Sequence, residues 1–194
     1  MDILAHALWA GVGCAFLARR VPLARRTVAA TLTLAVLPDV PQFVPVLGWV
    51  LAGDGGWQAL QTLALASPGQ EPPLPPLVGL VSHHLHCLAH SALVAGAVSG
   101  FAWLTMRSLW LPLLGWWSHI VIDVFTHSAD FYPSPVLYPL SYRGFDGIAW
   151  NEPWFMLANY GALALLGAWA CAGSSRAGGG ARTMAAAPPP RRSP

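Results

Sequence analysis

His119 and Asp123 lie four residues apart in an apolar run bounded by Arg107 and Arg143. At that spacing they share one helical face, and an imidazole beside a carboxylate is either a hydrogen-bonded pair or part of a divalent-metal site. His127 continues the stripe by another turn. His83, His86 and His90 form a second stripe at i, i+3 and i+7, with His84 beside it, while His6 and Asp39 stand in two further apolar blocks. Burying a carboxylate costs several kcal/mol unless a cation or a partner compensates it. The expected ligands are His6, Asp39, His90, His119 and Asp123, with His83, His84 and His86 as secondary ligands or proton carriers at the mouth of the site. The donor set suits zinc first, and also manganese or iron. Asp39, Asp123 and His127 are the candidates for catalytic work on a water.

The elements that must position these groups follow from composition. Of 194 residues, 55% are hydrophobic and 9% charged, against roughly 25% charged in an ordinary soluble domain. The mean hydropathy is +0.52. This excludes a disordered chain and points to an all-α, polytopic membrane protein. Five apolar blocks, 3–18, 27–52, 85–106, 108–126 and 153–172, are the expected spans. The second is expected to break at mid-membrane, because Pro38, Pro41 and Pro45 flank Asp39 and each removes a backbone donor. Irregular backbone persists in a bilayer only where protein or a wet cavity satisfies it, so the break points to a polar pocket near Asp39. Cys14, Cys87 and Cys171 offer neither a disulfide framework nor a Cys-type zinc module.

All ten basic residues are Arg. With five spans, Arg19, Arg20, Arg25, Arg26, Arg107 and the four Arg after residue 172 fall on one side, which the basic bias makes cytoplasmic. Only Arg143 is left outside. The first block lacks a basic leader and is followed by Arg19 and Arg20, so it reads as a retained span with its N-terminus outside. Residues 1–172 form the expected membrane domain. Residues 173–194 are expected to be a disordered basic cytoplasmic tail drawn to anionic lipid, and the 53–84 loop, with Pro68, Pro72, Pro73, Pro75 and Pro76, a low-complexity connection. Without the tail, six Arg oppose eight acids, a net charge of −2 that gives no reason to expect nucleic acid. Counting from the nearest cytoplasmic Arg at 1.5 Å per residue, His6, Asp39, His90, His119 and Asp123 all lie roughly 18–26 Å above the inner boundary. Five potential ligands from four spans are thus expected in one layer of the outer half-membrane.

Several short stretches carry a resemblance: Leu4-Ala5-His6-Ala7-Leu8-Trp9-Ala10-Gly11, Leu37-Pro38-Asp39, Ala89-His90-Ser91, and Leu114-Gly115-Trp116-Trp117-Ser118-His119 followed by Ile122-Asp123 and Phe125-Thr126. Tyr138-Pro139-Leu140-Ser141 with Arg143 adds another. In this order, over most of residues 1–143, the chain resembles the bacterial inner-membrane metal-dependent hydrolases of the LexA-regulated or LexA-binding type. More distantly, its His/Asp order is similar to that of the all-helical zinc-dependent phospholipases C. Two positions depart from the first family. Pro41 stands where a second Asp is common, and His84-Leu85-His86-Cys87-Leu88 replaces a His-Arg-Gly run. The number of metals, and which of His84 and His86 takes the family role, stay open.

The resemblance implies hydrolase activity. The residues agree with metal-assisted hydrolysis of a phosphoester or phospholipid-like substrate at the outer face of the cytoplasmic membrane, since a bound ion acidifies water and polarises a phosphoryl oxygen. The 127–152 loop carries Phe131, Tyr132, Tyr138, Tyr142, Phe145 and Trp150, which suit the headgroup level. Arg143 could hold a phosphate there. The competing class is a non-enzymatic metal or haem protein, with His90 and His119 as axial ligands. Asp39 and Asp123 at the same depth suit a hard divalent ion better. A third class is a scaffold or regulatory partner that uses no metal.

Overall fold

The computed structural model describes residues 1–53, 56–67 and 69–184, and among them the chain is all-helical. Helix α1 (Ile3–Leu17) is capped by Asp2, whose carboxylate accepts from the Ala5 N–H at 2.9 Å. The same Asp2 oxygen accepts from the Tyr160 hydroxyl at 2.8 Å, and Trp9 Nε1 donates to Asn159 Oδ1 at 2.8 Å, so α1 is tied to α8 (Pro153–Met184) by two polar contacts. Helix α2 (Arg25–Val36) packs against α1 and against α7 (Leu113–Thr126).

The α2–α7 contact depends on one residue lacking a side chain. A Cβ at Gly115 would stand 2.1 Å from the Thr31 carbonyl oxygen and 3.0 Å from Ala35 N. The two backbones therefore approach closely, one turn from His119 on α7 and alongside Ala35 on α2.

After α2 the chain makes a 3-10 turn, Leu37–Asp39, before α3 (Phe43–Ala52) leaves at 68°. Pro38 and Pro41 produce the break expected from the sequence. Pro45 lies in the first turn of α3, where no intrahelical donor is lost. The turn buries Asp39.

A second break, not expected, separates α5 (Pro76–Ala89) from α6 (Ala92–Met106), which meet at 54°. Ser91 caps α6, accepting from Val94 N at 3.2 Å while its hydroxyl donates to the Tyr138 carbonyl at 2.6 Å. Ala92 N–H donates to Val136 O, and Trp116 Nε1 takes the Ala89 carbonyl at 2.7 Å. The 127–152 segment and α7 thus satisfy the backbone groups that the break frees.

Other expectations need correction. The 53–84 connection is not structureless: α4 (Gly56–Leu65) lies in it, and α5 begins at Pro76, since proline fits the first turn of a helix. The third block therefore starts nine residues before 85, with Pro68 outside the described residues. Helix α8 continues past residue 172 to Met184. The tail expected at 173–194 is helical over its first part, and 185–194, with Arg191 and Arg192, lie outside the described residues.

Among the described residues no single helix is long and apolar enough to cross a membrane, but α2 through the 3-10 turn with α3, and α5 with α6, pass that test as bent pairs. Helices α1 and α7 are shorter apolar helices of 15 and 14 residues. The largest fully buried side chains are His6, His90, His119, Asp123, Cys87, Ser91 and Ser134, whereas Leu51, Leu65, Phe101, Leu140 and Leu157 are each at least two-thirds exposed.

Replacing Gly115 by Ala is expected to push α7 off α2 and to destabilise the chain by about 1–3 kcal/mol, the usual range for an overpacked contact. Thermal unfolding in detergent checks it, and an unchanged midpoint would contradict so close a packing.

Candidate metal centre

Asp123 is the centre of the buried cluster. It is fully buried on α7, one turn after His119, and its Oδ2 lies 3.1 Å from His119 Nε2 and 3.2 Å from His90 Nε2. Asp39 Oδ1 stands 3.4 Å from His90 Nε2 and 3.6 Å from His119 Nε2. The two imidazole nitrogens are 3.0 Å apart. One ligand atom from each of Asp39, His90, His119 and Asp123 lies within 4.8 Å of all the others, so these four could hold a metal ion.

The backbone decides which ring nitrogens face inward. His119 Nδ1 lies 2.7 Å from the Ala35 carbonyl, and His90 Nδ1 lies 2.8 Å from the His86 carbonyl. A carbonyl only accepts, so each Nδ1 carries the hydrogen and donates it. A neutral ring then turns the Nε2 lone pair to the centre. Two lone pairs and two carboxylates facing one point repel unless positive charge lies between them. A shared proton would relieve one contact. Asp39 Oδ2 and Asp123 Oδ2 nevertheless remain buried without an aligned hydrogen bond, the latter despite its short distances to both histidines. Leaving such groups unpaired costs about 1–3 kcal/mol each, more when charged, and a coordinated cation removes that cost. This is the arrangement in which a second carbonyl partner orients a metal-binding imidazole.

The remaining predicted residues fall into two groups. His6 reaches the cluster from α1: its ring stacks on His119 with centroids 3.8 Å apart, and its Nε2 is 3.0 Å from Asp123 Oδ1. His127, just past α7, places Nε2 3.4 Å from the same oxygen, and its Nδ1 is held by the Tyr132 carbonyl. The Met1 amino nitrogen contacts Asp123 Oδ1 and lies 2.8 Å from His127 Nε2. His86 packs its ring on His90 at 3.9 Å, with Nδ1 buried and without a partner.

His83 and His84 stand apart from this cluster. His83 is exposed, stacking on Tyr142 with Nε2 3.5 Å from Cys87 Sγ, and His84 Nδ1 meets the Tyr138 hydroxyl at 3.3 Å. Arg143 is exposed, and its backbone N–H donates to Ser141 Oγ at 3.1 Å.

The segment after α7 fixes His127. Gly147 N–H donates to the His127 carbonyl, Ile148 N–H to Phe125 O and Trp150 N–H to Thr126 O, which satisfies the carbonyls at the end of α7. A Cβ at Gly147 would lie 2.5 Å from Phe125 O, so only glycine permits this approach. Tyr132 adopts a positive φ of 48°, a strained conformation for a non-glycine residue, while offering its carbonyl to His127. Its hydroxyl accepts from Gly69 N–H at 3.2 Å, and burial together with the neighbouring Glu71 carboxylate pushes its pKa up to about 12.

The carbonyls of Ala35, His86 and Tyr132 were not foreseen from the sequence. A carbonyl carries no side-chain signature, and only the helix ends and breaks decide which ones are free to accept. No family model, curated protein or solved structure matches the chain.

Nitrogen-15 NMR of histidine-labelled, zinc-loaded protein is expected to show His90 and His119 protonated at Nδ1 and bound through Nε2. Hydrogen on Nε2 of both rings would contradict the inward-facing lone pairs.

Proposed function

We propose that this chain is a membrane-embedded, metal-dependent hydrolase acting on a phosphoester or lipid-like substrate at the outer face of a bacterial cytoplasmic membrane. The observation that carries the reading is the convergence of acceptor atoms from Asp39, His90, His119 and Asp123 on one buried point. A divalent ion, zinc before manganese or iron, would there lower the pKa of a water and polarise a phosphoryl or carbonyl oxygen.

The protein groups divide the remaining work by their surroundings. Asp123 is enclosed by imidazole nitrogens on both oxygens, which makes it a ligand. Asp39 keeps 12% of its side chain exposed where His90 and His119 keep none, so it is less enclosed than they are. Its unpartnered Oδ2 is the atom to take a proton as general base. Arg143, exposed in the same loop as Tyr138, Tyr142 and Phe145, would hold a phosphate.

The membrane setting is supported by the apolar exterior around a polar interior and by the one-sided distribution of Arg. The motifs shared with the inner-membrane metal-dependent hydrolases favour the same reaction class. Haem between His90 and His119 is less well supported, because carboxylate oxygens stand 3.1–3.6 Å from the same two nitrogens.

Metal analysis of protein purified in detergent tests the reading, beside the His119→Ala and Asp123→Ala variants. Bound divalent metal is expected in the parent and is expected to be lost from both variants. Hydrolysis of a phosphodiester and phospholipid panel is expected to fall by about 100-fold or more with Asp123→Ala, the scale of losing water activation. Metal-free parent protein, unchanged metal in both variants, or a Soret band would overturn the proposal.

A further inference from the structure

Away from the buried cluster, at the Arg-bearing ends of the helices, α1, α2 and α7 enclose a second space. It is a groove of about 200 Å³ walled by Trp9, Gly13 and Leu17 of α1, by Leu23, and by Leu111 and Leu114 around the start of α7. Gly13, Leu111 and Leu114 are exposed, so the groove opens to the outside of the molecule. We propose that it takes an acyl chain of an anionic phospholipid of the cytoplasmic leaflet, whose phosphate rests on Arg20, Arg25 and Arg26. The inference rests on the membrane setting proposed above and uses none of the metal ligands.

The walls select a hydrocarbon occupant. Thr31 and Ser118 also line the groove, but their hydroxyls donate to the carbonyls of Thr27 and Gly115, each at 2.8 Å. With those hydrogens spent inside their own helices, a polar ligand entering here would lose its water without gaining a donor in return. A Cβ at Gly13 would meet nothing within 4 Å, so the space beside α1 is not filled by protein. An apolar wall without neighbours forfeits its dispersion contacts, and an acyl chain restores them. Thr31 also forms the α2–α7 contact at Gly115, so the chain would pack against the contact that positions His119.

The mouth of the groove carries charge of one sign. Arg19, Arg20, Arg25 and Arg26 follow one another closely, and no acidic residue lies between Asp2 and Asp39 or between Glu71 and Asp123. Arg19 is engaged: its guanidinium donates to the Trp169 carbonyl at 2.7 Å and lies over the rings of Phe16 and Trp169. Arg20, Arg25 and Arg26 are exposed. Arg25 and Arg26 also stand where a helix favours them least, because they open α2, whose N-terminus has no side-chain cap and no acid in its first turn. The positive end of the helix dipole there meets two further positive charges, and an anion relieves both. An anionic phospholipid joins the two halves of the site, since its phosphate matches guanidinium donors and its tail matches the groove. Basic pockets between helices on the cytoplasmic side suit such headgroups.

Native mass spectrometry of the full chain in detergent tests this, with dioleoyl-phosphatidylglycerol, dioleoyl-phosphatidylcholine or glycerol 3-phosphate added and intact lipid identified by its mass. One phosphatidylglycerol per chain is expected, held about 10-fold more tightly than phosphatidylcholine, with glycerol 3-phosphate not retained. The double variant Arg25→Gln, Arg26→Gln is expected to lose that preference. Gly13→Leu, whose side chain would fill the groove, is expected to lose both lipids. Circular dichroism confirms that each variant is folded, and should one fail to fold, the other and the parent decide the matter. Equal retention of the two lipids, glycerol 3-phosphate held as well as the phospholipid, or phosphatidylglycerol unchanged in both variants would overturn the lipid site. A chain that stays in solution without detergent would overturn the membrane setting with it. Metal-free parent protein that still prefers phosphatidylglycerol would overturn the hydrolase reading and keep the lipid site.

Discussion

A carboxylate buried among imidazoles, with no Arg or Lys beside it, is the constraint on which this structure depends. Asp123 is fully enclosed, and its neighbours are imidazoles and the Met1 amino group. Neutral imidazoles cannot offset its charge, and those of His90 and His119 have already given their Nδ1 hydrogens to backbone carbonyls. The Met1 amino group meets only Oδ1, and on the Oδ2 side a coordinated ion would supply positive charge in the form that imidazole and carboxylate donors prefer.

The architecture serves that demand through imperfect helices. The Ala35 carbonyl lies just before the Leu37–Asp39 turn, and the His86 carbonyl, in the last turn before the His90–Ser91 junction, accepts the His90 backbone N–H and lies 2.8 Å from His90 Nδ1 as well. Carbonyls at these helix ends are thus the ones that hold the His119 and His90 rings. The Gly115 contact brings α7 close enough to α2 for His119 to reach Ala35, and the 147–150 segment holds the end of α7 so that His127 turns inward. The polar cost is concentrated at the centre, and the apolar residues are left to cover the outside.

Much of this was legible in the residue types. The scarcity of charge made His and Asp within apolar blocks conspicuous, and depth measured from Arg grouped His6, Asp39, His90, His119 and Asp123, of which the structure brings four into one cluster with His6 against it. The Pro38–Pro41 break was legible because proline acts through its own covalent geometry. The α5–α6 break was not, since Ser91 marks it only as a cap whose second partner, the Tyr138 carbonyl, is distant in sequence. Helix α4 was obscured by the prolines that follow it. The placement of His83 and His84 away from the centre depends on the rotation of α5, which a His-rich run read by spacing alone does not specify.

The central claim is that nitrogen and oxygen donors around Asp123 bind a divalent ion. Zinc K-edge X-ray absorption of the zinc-loaded protein tests it most directly. The account predicts a shell of nitrogen and oxygen at about 2.0–2.2 Å with the outer scattering of imidazole rings. A shell containing sulfur at about 2.3 Å, or the spectrum of zinc surrounded by water alone, would contradict it.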